Sequence, residues 1–188
     1  MYKDFAYFKF DKYIPNYICD EIIKNHTQFV DGGIEGEPLD IRMPMVDQSF
    51  RKSQIQWIST PFYTNLIFQI FQQTNSLWEF NITHVEPLQL SKYVAPDGHY
   101  DFHYDGNGYT RENIDDSVRK LSMSCLLNDT NDFDGGVLQL NCSGGIDDIK
   151  MSKGDIVVFP SYLMHRVTPV TRGERYSLVA WAQGEQFK

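Results

Sequence analysis

The segment GHYDFHYD, residues 98 to 105, sets His99, Asp101, His103 and Asp105 at alternate positions. In an extended strand residues two apart share a face, so each His-x-Asp pair presents an imidazole beside a carboxylate, a donor set that can hold one metal ion. A lone pair of this kind is common by chance, and a polar strand face is its ordinary meaning. The C-terminal stretch HRVTPVTRGERYSLVAW alters the odds, because it supplies His165 and then, at strand spacing, Arg175 and Ser177. Two histidines and one carboxylate meeting from distant strands would fill one face of an octahedral ion and leave three positions open, which suits Fe(II). A closed zinc site would need a fourth ligand, often cysteine, that the pattern lacks. Beyond a Thr-Arg-Gly turn expected to return the chain, Arg175 and Ser177 share a strand face. A guanidinium beside a hydroxyl inside a barrel is a suitable partner for a carboxylate. Parity alone does not choose between the two His-x-Asp pairs.

These groups need a scaffold to position them. The 188 residues are 41% hydrophobic, 14% aromatic and 22% charged, the balance of one packed domain, which excludes global disorder. The net charge is −8, and without a basic cluster it argues against tracking a phosphate backbone, so no nucleic-acid partner is expected. No apolar run approaches the ~20 residues of a membrane span, and Lys3, Asp4 and Lys9 interrupt the first residues. The expectation is a soluble, unexported, cytoplasmic protein with no membrane partner. Cys19, Cys125 and Cys142 are odd in number and form no CxxC pair, so they read as small buried hydrophobes in a reducing compartment.

Pro15 followed by Ile18, Ile22 and Ile23 predicts a helix over 15–29, and Thr60-Pro61 followed by Phe62, Leu66 and Ile70 predicts another over 61–74. Asp31 to Ser49 reads as a long surface loop. From Leu77 onward, short apolar stretches punctuated by turn residues predict strands over 77–84, 88–94, 99–105, 119–127, 137–142, 146–151, 156–159, 164–168 and 174–182. Such spacing without intervening helices predicts a mostly β fold with flanking helices, a double-stranded β-helix (jelly roll) of two antiparallel sheets. A single domain over 1–188 is expected, with helical and loop support over 1–76 and the jelly-roll core over 77–185. Gly135 and Gly136 suit a tight turn or close backbone approach. The polar segment 106–118, directly after the metal pair, reads either as a lid or substrate-binding segment or as an inert excursion. The aromatic residues between Tyr2 and Tyr13 read as sheet packing, and His26 and His84 as structural.

Taken together, Tyr93, Tyr100, His103, Asp105, Asp134-Gly135-Gly136, Leu138, Gly154-Asp155, Pro160, His165, Val167, Pro169-Val170, Gly173, Arg175, Ser177 and Trp181 carry a resemblance spanning 88–182. The chain resembles the 2-oxoglutarate and Fe(II)-dependent dioxygenases, most closely the prolyl 4-hydroxylase and PKHD-type branch. The resemblance implies that His103, Asp105 and His165 bind iron; it favours the later pair because Tyr100 stands three residues before His103, as in the family. It implies that Arg175 holds the distal carboxylate of 2-oxoglutarate, whose other carboxylate and keto oxygen chelate the metal, and that Tyr93 and Ser177 add hydrogen bonds. The family usually places its first tyrosine six residues before the second; Tyr93 stands seven before Tyr100. The implied reaction couples O2 and decarboxylation of 2-oxoglutarate to hydroxylation of a C–H bond, with ascorbate as reductant. Branch resemblance points to a prolyl residue in a peptide or protein. The alternatives are a free amino acid or other small molecule at the same site, and a non-catalytic jelly-roll binding module, against which the complete residue set weighs.

Overall fold

The computed structural model describes residues 6–33, 47–105 and 117–186. In chain order its elements are β1 (Phe8–Phe10), α1 (Asn16–Asn25), β2 (Val30–Asp31), β3 (Arg51–Lys52), β4 (Gln54–Ile58), α2 (Pro61–Thr74), a 3-10 turn (Asn75–Leu77), β5 (His84–Val85), β6 (Leu88–Val94) and β7 (Gly98–His103). There follow β8 (Ser117–Leu126), β9 (Phe133–Gly135), β10 (Leu138–Cys142), β11 (Gly145–Ile149), β12 (Ile156–Pro160) and β13 (His165–Glu185). No described helix is long and apolar enough to cross a membrane. All three cysteines are free; Cys19 and Cys125 are buried and Cys142 is partly so.

Two antiparallel layers share β13. The larger has the order β1-β12-β8-β13-β6-β4-β2, with β5 on the end of β13. The smaller is built on the first half of β13, with β10 and β9 along one edge and β7 along the other; β11 extends β10 and β3 extends β7. This is the expected jelly roll. Period-two alternation explains which way each wall faces. In β12, Ile156 and Val158 join the core beneath α1 and α2, while Val157 and Phe159 join the core between the layers. In β8, Leu121, Met123 and Cys125 face the helices, so the intervening Ser122 and Ser124 face inward. By the same parity in β6, Leu88 and Leu90 turn to the helices and Gln89, Ser91 and Tyr93 turn inward. Each buried aliphatic side chain contributes about 1.5–3 kcal/mol, enough to fix register, since a one-residue slip would exchange the two faces. The inner wall therefore carries buried serines, a glutamine and an arginine, all under 9% exposed, beside an apolar cluster.

Several elements depart from the sequence reading. The first helix stops at Asn25 rather than 29: His26 turns extended, and its Nδ1 reaches the Ile22 carbonyl at 2.8 Å, freeing the chain to pair β2 with β4. The strand expected over 77–84 is reduced to His84–Val85. There the Asn75 side chain bonds the backbone of Phe80 in both directions, at 2.7 and 3.0 Å, closing a loop where a ladder was expected. The segments 164–168 and 174–182 form one strand, and the expected return at Thr171-Arg172-Gly173 is instead a crossover between layers. Pro169 cannot donate to a ladder, register shifts bracket Val170, and Gly173 takes φ +71° where a Cβ would lie 1.9 Å from the Asp132 carbonyl oxygen. The N-terminal part supplies sheet edges (β1 to β4) as well as helices and loops. The loop expected over 31–49 and the lid or excursion over 106–118 fall largely outside the described residues, as do Tyr2 and Phe5.

Candidate metal and co-substrate site

Register brings the two imidazoles together: His103, at the end of β7, is directly opposite His165, at the start of β13, and directly opposed residues sit about 5 Å apart at Cβ. Their ring centroids are 4.2 Å apart. Asp105 lies just past β7, where its N–H donates to the Ser161 carbonyl at 3.0 Å, while Ser161 Oγ lies 2.9 Å from Ser122 Oγ on β8. One Asp105 oxygen is 3.7 Å from His103 Nε2 and the other 3.4 Å from His165 Nε2. Among the described residues these three side chains form a cluster of ligating atoms all within 4.8 Å of one another.

Tautomers follow from the partners. His103 Nδ1 is 2.7 Å from the Asp101 carbonyl, and His165 Nδ1 is 2.9 Å from the Leu163 carbonyl. A carbonyl only accepts, so both Nδ1 atoms carry the proton and the Nε2 lone pairs of the neutral rings are left toward Asp105. Burial, then the charge of His165, push His103 down to about 3. Burial alone would raise the Asp105 carboxyl, but the charge and hydrogen bond of His165, with His103 and Arg119 behind them, hold it well below the usual carboxylate range. Burial likewise opposes charge on His165, yet the Asp105 carboxylate keeps it above its ordinary value. In neutral form the cluster is two lone pairs and an anion in a desolvated place, and a cation is the species that satisfies all three. The donor set of two imidazoles and one carboxylate fits Fe(II).

The duplicated motif is resolved by a bulge. Between the pairs His165–His103 and Val167–Tyr100, β7 carries one more residue than β13. Strict alternation fails there, so Tyr100 and His103, three apart, lie on one face with their rings stacked at 3.5 Å and 13°. His99 is turned away, with its nitrogens 2.6 and 3.1 Å from the carbonyls of Asp97 and Ser49. Asp101 is exposed and accepts the N–H of Phe102 at 2.7 Å.

Further along β13, Arg175 is 2% exposed. It lies directly across from Tyr93, with Ser177 across from Ser91. Its Nη1 donates to Ser177 Oγ at 3.0 Å, and its guanidinium is 5.5 Å from the Tyr93 ring centroid. Burial pulls the guanidinium below its ordinary value, partly offset by Tyr93 and Cys125. Among the described residues no carboxylate pairs with it. A buried arginine without an acid is costly on its own and is prepared for an anion. Tyr93 is buried at the end of β6; the extra residue before Tyr100 falls in the β6–β7 turn, where Asp97 takes φ +71°. Gly136, at φ +60°, leaves the space for Arg175: a Cβ there would be 2.7 Å from Arg175 Cδ. The sequence reading missed Ser91, Ser122, Ser124 and Ser161. Inward parity in β6 and β8 was the available signal for the first three, while Ser161 lies just past β12, and serine carries no chemical signature at strand spacing.

A profile described as the 2OG-Fe(II) oxygenase superfamily matches residues 88–183, slightly more than half of the chain, and the match includes Tyr93, His103, Asp105, His165, Arg175 and Ser177. The chain belongs to this superfamily. Within it, a PKHD-type hydroxylase of Nitrosomonas europaea is 34% identical over 107 residues, covering 53% of this chain and 44% of that one. The PKHD-type hydroxylase PiuC of Pseudomonas aeruginosa is 37% identical over 87 residues, covering 46% and 38%. The aligned stretch is thus less than half the length of either relative. Among solved structures, a Pseudomonas putida prolyl-4-hydroxylase matches with TM-score 0.71 at 20% identity, covering 96% of this chain and 94% of that one. A Trichoplax adhaerens prolyl hydroxylase, solved with a peptide fragment of hypoxia inducible factor, matches with TM-score 0.69 at 18% identity, covering 95% and 84%. These two establish the fold. Superfamily membership implies Fe(II), 2-oxoglutarate and O2, and the acceptor cluster at His103, Asp105 and His165 beside the unneutralised Arg175 fits an iron and a dicarboxylate.

Proposed function

We propose that this oxygenase is an Fe(II)- and 2-oxoglutarate-dependent dioxygenase that hydroxylates a prolyl residue in a peptide or protein. In this reading His103, Asp105 and His165 hold the metal, Arg175 holds the distal carboxylate of 2-oxoglutarate, and Tyr93 and Ser177 complete its hydrogen bonding. The observation that carries it is the pairing, within one barrel, of three convergent ligands, Asp105 and His165 buried and His103 partly so, with a buried guanidinium that has no acid partner among the described residues. When bound, iron with 2-oxoglutarate and O2 supplies oxidative decarboxylation to succinate and CO2 and the transfer of one oxygen atom to a C–H bond.

The protein's part is binding, orientation and exclusion of water. The carbonyls of Asp101 and Leu163 fix the imidazole tautomers, and the Ser161 carbonyl anchors the backbone of Asp105. The Tyr93, Leu126, Phe133, Val157 and Val170 cluster makes the interior beside Arg175 apolar, which strengthens a guanidinium–carboxylate pair. For the peptide substrate, one support is the presence of exposed aromatic side chains on the surface. Tyr104 and Tyr162, adjacent in sequence to Asp105 and Ser161, are exposed, as is Trp57, which packs at 6.0 Å against Trp181. Flat aromatic surfaces of this kind suit a pyrrolidine ring. The likeness to PKHD-type and prolyl hydroxylases points the same way, and three free cysteines suit a cytoplasmic setting.

The test incubates the protein with Fe(II), 2-oxoglutarate, ascorbate and proline-containing peptides. Succinate should form, and mass spectrometry should show a co-substrate-dependent gain of one oxygen on proline. Oxygen gain on free amino acids but never on peptides would reassign the substrate. Absence of succinate under every condition would favour a binding module.

A further inference from the structure

Tyr100 lies nearly parallel to His103, with centroids 3.5 Å apart and 13° between planes. The Arg51 carbon Cζ stands 4.5 Å from the centroid of the same tyrosine ring. The imidazole fills one face of Tyr100 at that distance, leaving the other to the guanidinium, so the three flat groups form a stack from β3 through β7. Register builds it: Arg51 is directly opposite Tyr100, and the β7 bulge puts Tyr100 and His103 on one face. Phe50 closes the edge of Tyr100 at 5.8 Å and 83°.

Arg51 is 6% exposed and is held by neutral acceptors, with Nε donating to Ser53 Oγ and Nη1 to the Gly33 carbonyl, both at 2.8 Å. Among the described residues its Nη2 has no hydrogen-bond partner and no acid pairs with it. Gly32 is shaped to admit it, since a Cβ there would lie 2.7 Å from Arg51 Nε. An arginine buried with an unmet donor is destabilising, and the ring it covers is the contact that makes use of it. An uncompensated, desolvated guanidinium strengthens attraction to an aromatic face. His103 ends its strand with one hydrogen bond at Nδ1, which leaves rotation of the ring about that contact to be restrained by packing.

We propose that Arg51 and Tyr100 are positioning residues: the stack fixes the plane of His103 so that Nε2 points at the metal position. This rests on the reading of His103 as a ligand. Loss of a group that orients a metal-bound histidine typically weakens metal binding 10–100-fold. The experiment titrates the full chain with Co(II) under anaerobic conditions, following affinity and the visible absorption band, with circular dichroism and thermal unfolding of the metal-free protein alongside. Tyr100→Leu should weaken Co(II) at least about 10-fold and alter the band, while Tyr100→Phe, which keeps the ring, should stay within about twofold of wild type. Arg51→Met should weaken binding in the same direction, and Arg51→Lys should not rescue it, because an ammonium is not planar. Should Tyr100→Leu fail to fold, the Phe and Arg51 variants carry the test. Wild-type affinity in a folded Tyr100→Leu or Arg51→Met protein, or failure of Tyr100→Phe to rescue, overturns the proposal. His103→Ala with undiminished Co(II) binding would instead overturn the ligand reading beneath it.

Discussion

Replacing Arg175 by methionine removes the buried cation while keeping an unbranched apolar stem, and the structure assigns opposite signs to its two effects. In the co-substrate-free protein, the guanidinium has a neutral bond to Ser177 at 3.0 Å and a ring contact with Tyr93 at 5.5 Å. Losing the bond costs about 1 kcal/mol, and losing the contact about 1 kcal/mol more. Against that, the variant is spared the desolvation of an unneutralised charge, worth several kcal/mol. The metal-free, co-substrate-free Arg175→Met protein should therefore unfold within about 2 kcal/mol of wild type, or be more stable. Binding behaves otherwise. Truncating one side of a buried, hydrogen-bonded charge pair costs about 2–5 kcal/mol, which is about 30-fold to several thousand-fold in affinity. Denaturant unfolding with and without 2-oxoglutarate, in the presence of Mn(II), reads both quantities. At a concentration where wild type gains about 2.7 kcal/mol, a variant binding 100-fold more weakly gains only about 0.4 kcal/mol. A variant destabilised by about 3–5 kcal/mol, as when a neutralised pair is broken, yet still stabilised normally by 2-oxoglutarate, would show that Arg175 is a structural arginine.

Three further outcomes follow. Gly136→Ala places a methyl 2.7 Å from Arg175 Cδ at a backbone φ of +60°, so the Michaelis constant for 2-oxoglutarate should rise about 10-fold with a smaller change in metal affinity; equal losses in both would refute it. Metal binding should release about one proton per ion at and below the raised value of His165 and weaken as pH falls there, because Asp105 holds that imidazole protonated while His103 stays neutral; calorimetry in buffers of different ionisation enthalpy checks this, and no buffer dependence would contradict it. Asp155 is desolvated, yet it accepts the N–H groups of Lys12 and Ser152 at 2.7 and 2.8 Å and pairs with Lys9, so its carboxyl sits below the ordinary value. A depressed folded value stabilises above the unfolded pKa and is lost as pH falls through the folded one, so Asp155→Asn should cost about 2 kcal/mol at neutral pH and progressively less in acid; a pH-independent difference would refute the ion's role.

The parts of the fold legible in the sequence were those written by local periodicity. The helix over 61–74 was read correctly because Pro61 starts it and an apolar stripe sustains it, and the alternating strands of the second half follow the period-two pattern. Elements decided by distant partners were not legible. The strand expected over 77–84 is displaced by the Asn75–Phe80 bonds, and the short edges β1, β2 and β3 exist because β12, β4 and β7 offer ladders. The crossover at Gly173 looked like a turn because φ preference alone cannot tell a returning chain from a strand changing layers. At the candidate site, residue types and spacing supplied the candidate side chains, and the family resemblance rather than spacing favoured His103 and Asp105 over His99 and Asp101. Parity did not separate His99 from His103, because the bulge that reverses it leaves no mark in the sequence. Gly136 read as a site for a tight turn or close backbone approach, whereas in three dimensions its missing Cβ leaves space for a side chain, that of Arg175. Arg51, far from either motif, joined the site only through its register with Tyr100.

The most direct measurement of the central claim is a metal titration comparing wild type, His99→Ala and Asp105→Ala, read by Co(II) absorption under anaerobic conditions. Wild type and His99→Ala should each bind one ion per chain with the same affinity, and Asp105→Ala should lose that binding while remaining folded. Tight binding by Asp105→Ala, or its loss in His99→Ala alone, would contradict a metal centre at His103, Asp105 and His165.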